Sequence, residues 1–150
     1  MSATLDFSNE LDAYQEQLET KIAPRFAKDV LELAIRTLVK LTPRDSGHLR
    51  GNWWIGNPGG SQIFEDNAVL TRARRAVSSY KLGDQVAIVN DLAYASVVDQ
   101  GEFDPSDPGP SRDPRPGRRG KILVSGGYST QAPRGMTEPT IEELDDVFFD

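Results

Sequence analysis

The chain has 150 residues, 37% of them hydrophobic and 27% charged, a balance that fits one globular domain better than two or a disordered tail. It contains no cysteine, which excludes disulfides and thiolate metal sites and is compatible with a reducing cytoplasm. Seventeen Lys and Arg against 23 Asp and Glu leave a formal charge of −6, which argues against DNA binding over the whole surface and confines any such contact to a local patch.

No stretch approaches the ~20 consecutive apolar residues of a membrane span, and MSATLDFSNELD lacks the basic and apolar regions of a signal peptide, so a soluble protein without a membrane partner is expected. From Ser8 to Leu41, Leu11, Tyr14, Leu18, Ile22, Phe26, Val30, Leu33 and Leu38 recur every three to five positions, which predicts a long helix with Ser8 as its cap. Pro24 removes a backbone donor inside that run and should kink or split the helix, with Thr20 to Ala23 at the joint. The second half is the more apolar and is assigned to the core, and Pro43 closes the element at Thr42.

Arg44-Asp45-Ser46-Gly47 then reads as a turn, with Asp45 or Ser46 bonding the backbone locally and Gly47 accepting positive φ. Leu49, Gly51, Trp53 and Ile55 alternate with Arg50, Asn52, Trp54 and Gly56, which is strand spacing and puts one tryptophan on each face. One of the pair should enter the core. The other is left for a second chain or ligand, or for a local cluster under the loop Pro58-Gly59-Gly60.

A second amphipathic helix is expected over 66–80, with Val69, Ala73, Ala76, Val77 and Tyr80 on one face and Arg72, Arg74 and Arg75 on its solvated side. After the turn Leu82-Gly83-Asp84, the residues Val86, Ile88 and Val89 form a short strand ending at Asn90. Ala93 to Gln100 gives one or two helical turns stopped by Gly101. From Glu102 to Gly120, five prolines stand among Arg112, Arg115, Arg118 and Arg119, which predicts an extended arm at about 102–121. Ile122-Leu123-Val124 is a strand candidate before the turn Gly126-Gly127. The last helix, Thr137 to Phe149, places Ile141, Leu144 and Phe148 inward and Glu138, Glu142, Glu143, Asp145 and Asp146 in water. These elements describe an α+β domain over 1–150: a long helix on a small, mostly antiparallel sheet, with further short helices and a long Pro/Arg-rich loop.

Little in this sequence carries catalysis. His48 is the sole histidine and has no G-x-S-x-G partner, the acidic residues 142–146 read as a wet helix face, and Asp104, Asp107 and Asp113 lack the spacing of a calcium loop. The glycine pairs match no phosphate-binding pattern, so neither an enzyme nor a metal or other cofactor is expected. The arm's arginines suit an anion, either phosphate or the chain's own acidic helix Glu138 to Asp146 on another subunit; a bland loop is an equal reading.

Three separated motifs nevertheless stand in a familiar order. They are Thr42, Pro43, Asp45, Ser46, Gly47, Leu49, Arg50 and Trp53; then Asn90, Tyr94, Ala95 and Gly101; then Gln131, Ala132, Pro133, Gly135, Met136 and Thr140. In order and spacing this resembles the neck or tail-completion family of long-tailed bacteriophages, the lambda minor tail protein Z family. The chain departs from it in Asp99-Gln100, where a Glu-x-Gly is more usual, and in a longer arm. The resemblance implies a structural virion protein without catalysis, located in the head-tail neck and in the host cytoplasm during assembly. It implies a ring, expected to be sixfold, through which packaged DNA passes without sequence-specific binding. Head-completion or adaptor proteins would lie on one side and the tail terminator or tail tube on the other. A tail terminator or other connector component is the alternative within that class, and a small DNA-binding module using Arg72, Arg74, Arg75 and the arm is the alternative outside it. Within the reading, the arm meeting Glu142, Glu143, Asp145 and Asp146 of the next subunit closes the ring, and Arg50 holds a carboxylate, Asp45 or Asp91, across the helix-strand junction.

Overall fold

The structure, a computed structural model, describes residues 2–44, 47–60, 63–104 and 124–149. Helix α1, Ser2–Gln17, passes through a π-helical segment, Leu18–Ile22, directly into α2, Ala23–Leu41. Pro24 is the cause. It has no N–H for the carbonyl of Thr20, and its ring would crowd that oxygen in a regular α-helix. The backbone widens instead, so that the N–H of Ala23 reaches back five residues to the carbonyl of Leu18. Pro24 then falls in the first turn of α2, where a missing donor costs least. The joint lies where the sequence places it, but as a π turn in a continuous helix. Ser8 is not the cap, because the helix-forming residues before it, Ala3 and Leu5 among them, carry the helix back to Ser2.

The two ends of this long helix differ in burial. In α2, Ile35, Leu38 and Val39 enter the core with Leu49, Trp53, Val69, Ala73, Ala95, Val98, Ala132 and Met136. In α1 and the π segment, Leu11, Tyr14, Leu18 and Ile22 stay exposed, since only α2 lies against the body, with α4 (Asp66–Val77) and α6 (Thr137–Phe148) as its main neighbours.

At the end of α2, Thr42 takes the extended conformation that a following proline demands, with φ −68° and ψ 126°. Gly47 supplies the left-handed turn at φ +88°. The expected strand from Leu49 is shorter than the alternation suggests. His48–Gly51 forms one helical turn, α3, and β1 covers only Trp53–Ile55. That turn is closed by the Gly51 N–H on the carbonyl of Gly47 at 2.9 Å and by the Asn52 amide on that of His48 at 2.6 Å. β1 pairs antiparallel with β2, Ile88–Asn90, in the register Trp53↔Asn90, Trp54↔Val89 and Ile55↔Ile88. Period-two alternation sends Trp53 into the core, 6% exposed, and Trp54 to the opposite face.

The remaining elements follow the expected order. α5, Ala95–Gln100, stops at Gly101 in the left-handed region, φ +70°. Strands β3, Val124–Ser125, and β4, Tyr128–Ser129, form a hairpin whose turn, Gly126-Gly127, needs positive φ at both positions. Ile122 and Leu123 of the expected strand lie outside the described residues. In α6 the inward residue is Thr140 rather than Ile141, which is 53% exposed; the Thr140 hydroxyl is absorbed by the carbonyl of Met136 at 2.7 Å. Phe148 packs edge-on against Phe26 with ring centres 5.3 Å apart.

The buried Thr42 hydroxyl donates to the Leu38 carbonyl at 2.6 Å and accepts the Trp53 indole N–H at 2.7 Å. Thr42→Val removes that acceptor and leaves a buried indole donor unpaired, so a loss of about 1–3 kcal/mol is expected in urea unfolding followed by tryptophan fluorescence.

Candidate functional site

The three motifs, far apart in the chain, meet around one junction. Arg50 donates from Nε to the carbonyl of Thr42 at 2.7 Å and from Nη1 to Asp66 Oδ2 at 3.2 Å. The carboxylate it holds is therefore that of Asp66, at the start of α4, and not Asp91; Asp45 lies outside the described residues. An acid in a first helical turn faces the positive end of the helix dipole, which makes it a ready partner. The Asn90 amide donates to the carbonyl of Leu49 at 2.8 Å, tying the second motif to the first. The Arg44 N–H donates to Gln131 Oε1 at 2.9 Å, tying the first to the third.

Asp99 makes the strongest link. Its Oδ1 accepts the N–H groups of Met136 and Thr137 at 2.7 and 2.8 Å, and its Oδ2 accepts the Thr137 hydroxyl at 2.6 Å. This carboxylate from α5 thus caps α6, whose own Met136 offers no side-chain cap. Glycines allow the close approach. A Cβ on Gly135 would stand 2.1 Å from the carbonyl oxygen of Asp99, and one on Gly127 would stand 2.0 Å from that of Gly101. Met136 and Ala132 are buried there, while Pro133 and Tyr94 are exposed. In the sequence Asp99 stands only as part of the departure Asp99-Gln100, and its capping role is not read there; the signal was a helix start at Thr137 with no local capping side chain.

The second tryptophan is covered from within the chain. The Arg72 guanidinium lies 3.6 Å above the Trp54 ring centre and 4.6 Å from that of Phe64, and a Cβ on Gly59 would meet the Trp54 ring at 2.7 Å. Nη2 of Arg72 donates to the carbonyls of Gly51 and Trp53, the first at 2.9 Å. Burial pushes the Arg72 guanidinium below its ordinary value, with Asp91 nearby acting the other way. Arg74 bonds Glu32 on α2 from Nε at 3.0 Å and Nη2 at 2.7 Å. The expectation of a solvated arginine face thus fails for Arg72, which is half-buried, and holds for Arg74 and Arg75, which are exposed, Arg74 with Glu32 as its partner. Arg72 sits three residues after Val69 and one before Ala73, at the border of the buried stripe, where a long side chain reaches neighbouring carbonyls.

On α6, Glu142 already pairs with Arg134 of its own chain, Glu143 is half-buried, and Asp145 and Asp146 are exposed. The arm residues Arg112, Arg115, Arg118 and Arg119 lie outside the described residues. Among the described residues no group of three or more His, Cys, Asp or Glu is placed to hold a metal ion, and no helix is long and apolar enough to cross a membrane. Comparison with protein-family models, curated proteins and solved structures returns no match to this chain.

Asp99→Ala removes a cap and a bridge together and should cost about 2 kcal/mol in chemical denaturation, with Asp99→Asn intermediate because one acceptor oxygen remains. Arg74 holds the Glu32 carboxyl below its ordinary value of 4.5. A lowered carboxylate stabilises the fold fully above its unfolded value and ceases to as pH falls through the folded one. Melting curves from pH 6 to 3 should therefore show an acid-side loss that is smaller in Arg74→Ala, the difference being slight because solvent screens so exposed a pair.

Proposed function

We propose that this chain is a structural component of the head-to-tail connector of a long-tailed bacteriophage: a neck or tail-completion protein, a ring around the DNA path between head-completion proteins and the tail terminator or tube. The observation that carries this reading is the convergence of the three motifs. Residues on which the resemblance rests, among them Thr42, Arg50, Trp53, Asn90, Gly135 and Met136, are the ones that join α2 to the β1-β2 sheet and α5 to the start of α6. A family pattern made of such residues records a scaffold, and a scaffold is what a ring subunit needs. The DNA-binding alternative is weakened, because Arg72 and Arg74 are occupied within the chain.

A ring contact is heterologous and joins two different patches of one subunit. The arm's arginines and the exposed Asp145 and Asp146 on α6 are such a pair. Cryo-electron microscopy of the particle that carries this chain should find it as a ring between head and tail; absence from the neck would overturn the reading. Within it, replacing Arg115, Arg118 and Arg119 by glutamate should abolish ring incorporation while leaving the melting temperature of the subunit unchanged.

A further inference from the structure

α1 has no cover. Its one extensive neighbour is the π segment that follows it, and Leu11, Tyr14, Leu18, Ile22 and Phe26 line one face of the continuous helix with 38–60% of their surfaces exposed. An isolated helix of this length is marginal in water and is ordinarily held by packing of its apolar stripe. Four-residue spacing through Leu18, Ile22 and Phe26 keeps the stripe on one side across the π turn, which adds a residue to the turn. The stripe continues onto the body, where Phe149, 69% exposed, sits 6.3 Å from Phe26 in an edge-on contact.

Charge along this helix identifies the occupant. From residue 8 to residue 20 there are four acids, Glu10, Asp12, Glu16 and Glu19, and no base. From 21 to 28 there are three bases, Lys21, Arg25 and Lys28, and no acid. Two copies laid parallel would set acid on acid and base on base. Two copies laid antiparallel, crossing at Thr20, set each acidic half on the other's basic half and bring Leu18 level with Ile22 and Tyr14 level with Phe26 of the second copy. The area is sufficient. Six half-exposed large side chains, the five of the stripe and Phe149, offer roughly 600 Å² per copy at about half the area an aromatic buries, and two copies reach the lower end of stable interfaces at about 1,200 Å².

We propose that two copies of this chain associate antiparallel through the Leu11-Tyr14-Leu18-Ile22-Phe26 stripe, with the acidic segment 8–20 of each against the basic segment 21–28 of the other. The pairing is independent of the connector reading, since it uses neither the arm nor α6 acids, and its test needs no particle. Sedimentation velocity of the purified full chain should show a dimer at about 100 µM, and Leu18→Glu with Ile22→Glu should weaken it at least tenfold while near-ultraviolet dichroism of the buried Trp53 is retained. Orientation is read from single-cysteine variants, which report one site each because the chain has no cysteine of its own. Under oxidation Gln15→Cys should link to Arg25→Cys in a mixture far more than to itself. A monomer throughout, a dimer indifferent to the Leu18 and Ile22 substitutions, or preferential Gln15→Cys self-linkage would each overturn the proposal.

Discussion

Thr42 is the point on which the architecture turns. Its position before Pro43 ends α2, its hydroxyl closes the last turn and takes the indole of Trp53, and its carbonyl receives Arg50. One buried residue therefore fixes the helix end, the β1 tryptophan and the arginine that reaches α4. The arrangement suits threonine: the hydroxyl can donate and accept at once, and the β-branched side chain tolerates the extended conformation that proline imposes.

A second constraint works at shorter range. The C-terminus of α5, the β3-β4 turn and the start of α6 approach so closely that Gly127 and Gly135 have no room for a side chain, and Asp99 uses the proximity to cap α6. Both constraints act on the half of the molecule below the π turn. Above it, among the described residues, α1 carries an exposed apolar stripe at Leu11 and Tyr14, so the long helix joins a tied body to an open surface.

Electrostatics divides along the same line. In the body, arginines are spent on carbonyls, on an aromatic face and on single carboxylates, as Arg72, Arg50 and Arg74 show. Over residues 8–28 of the long helix, charge is segregated by sign, an arrangement that does little within one copy and serves the proposed pairing of two.

Much of this was legible from the residue pattern. The helix periodicity, Pro24 as a joint, the core location of α2, the short strands at Trp53 and at Ile88, the glycine stops and the terminal helix all rest on local steric and hydrophobic rules, which act over a few residues and are written in consecutive positions. Where those rules met a competing local bond, they misjudged the boundary: Leu49 to Gly51 alternates like a strand, yet the left-handed turn at Gly47 starts a helical turn instead. Tertiary structure alone decided which carboxylate Arg50 takes, that Arg72 covers Trp54, that Asp99 caps a helix 38 residues on and that Thr140, not Ile141, faces inward. Each depends on the relative placement of two elements, a property of packing that spacing along one segment does not encode.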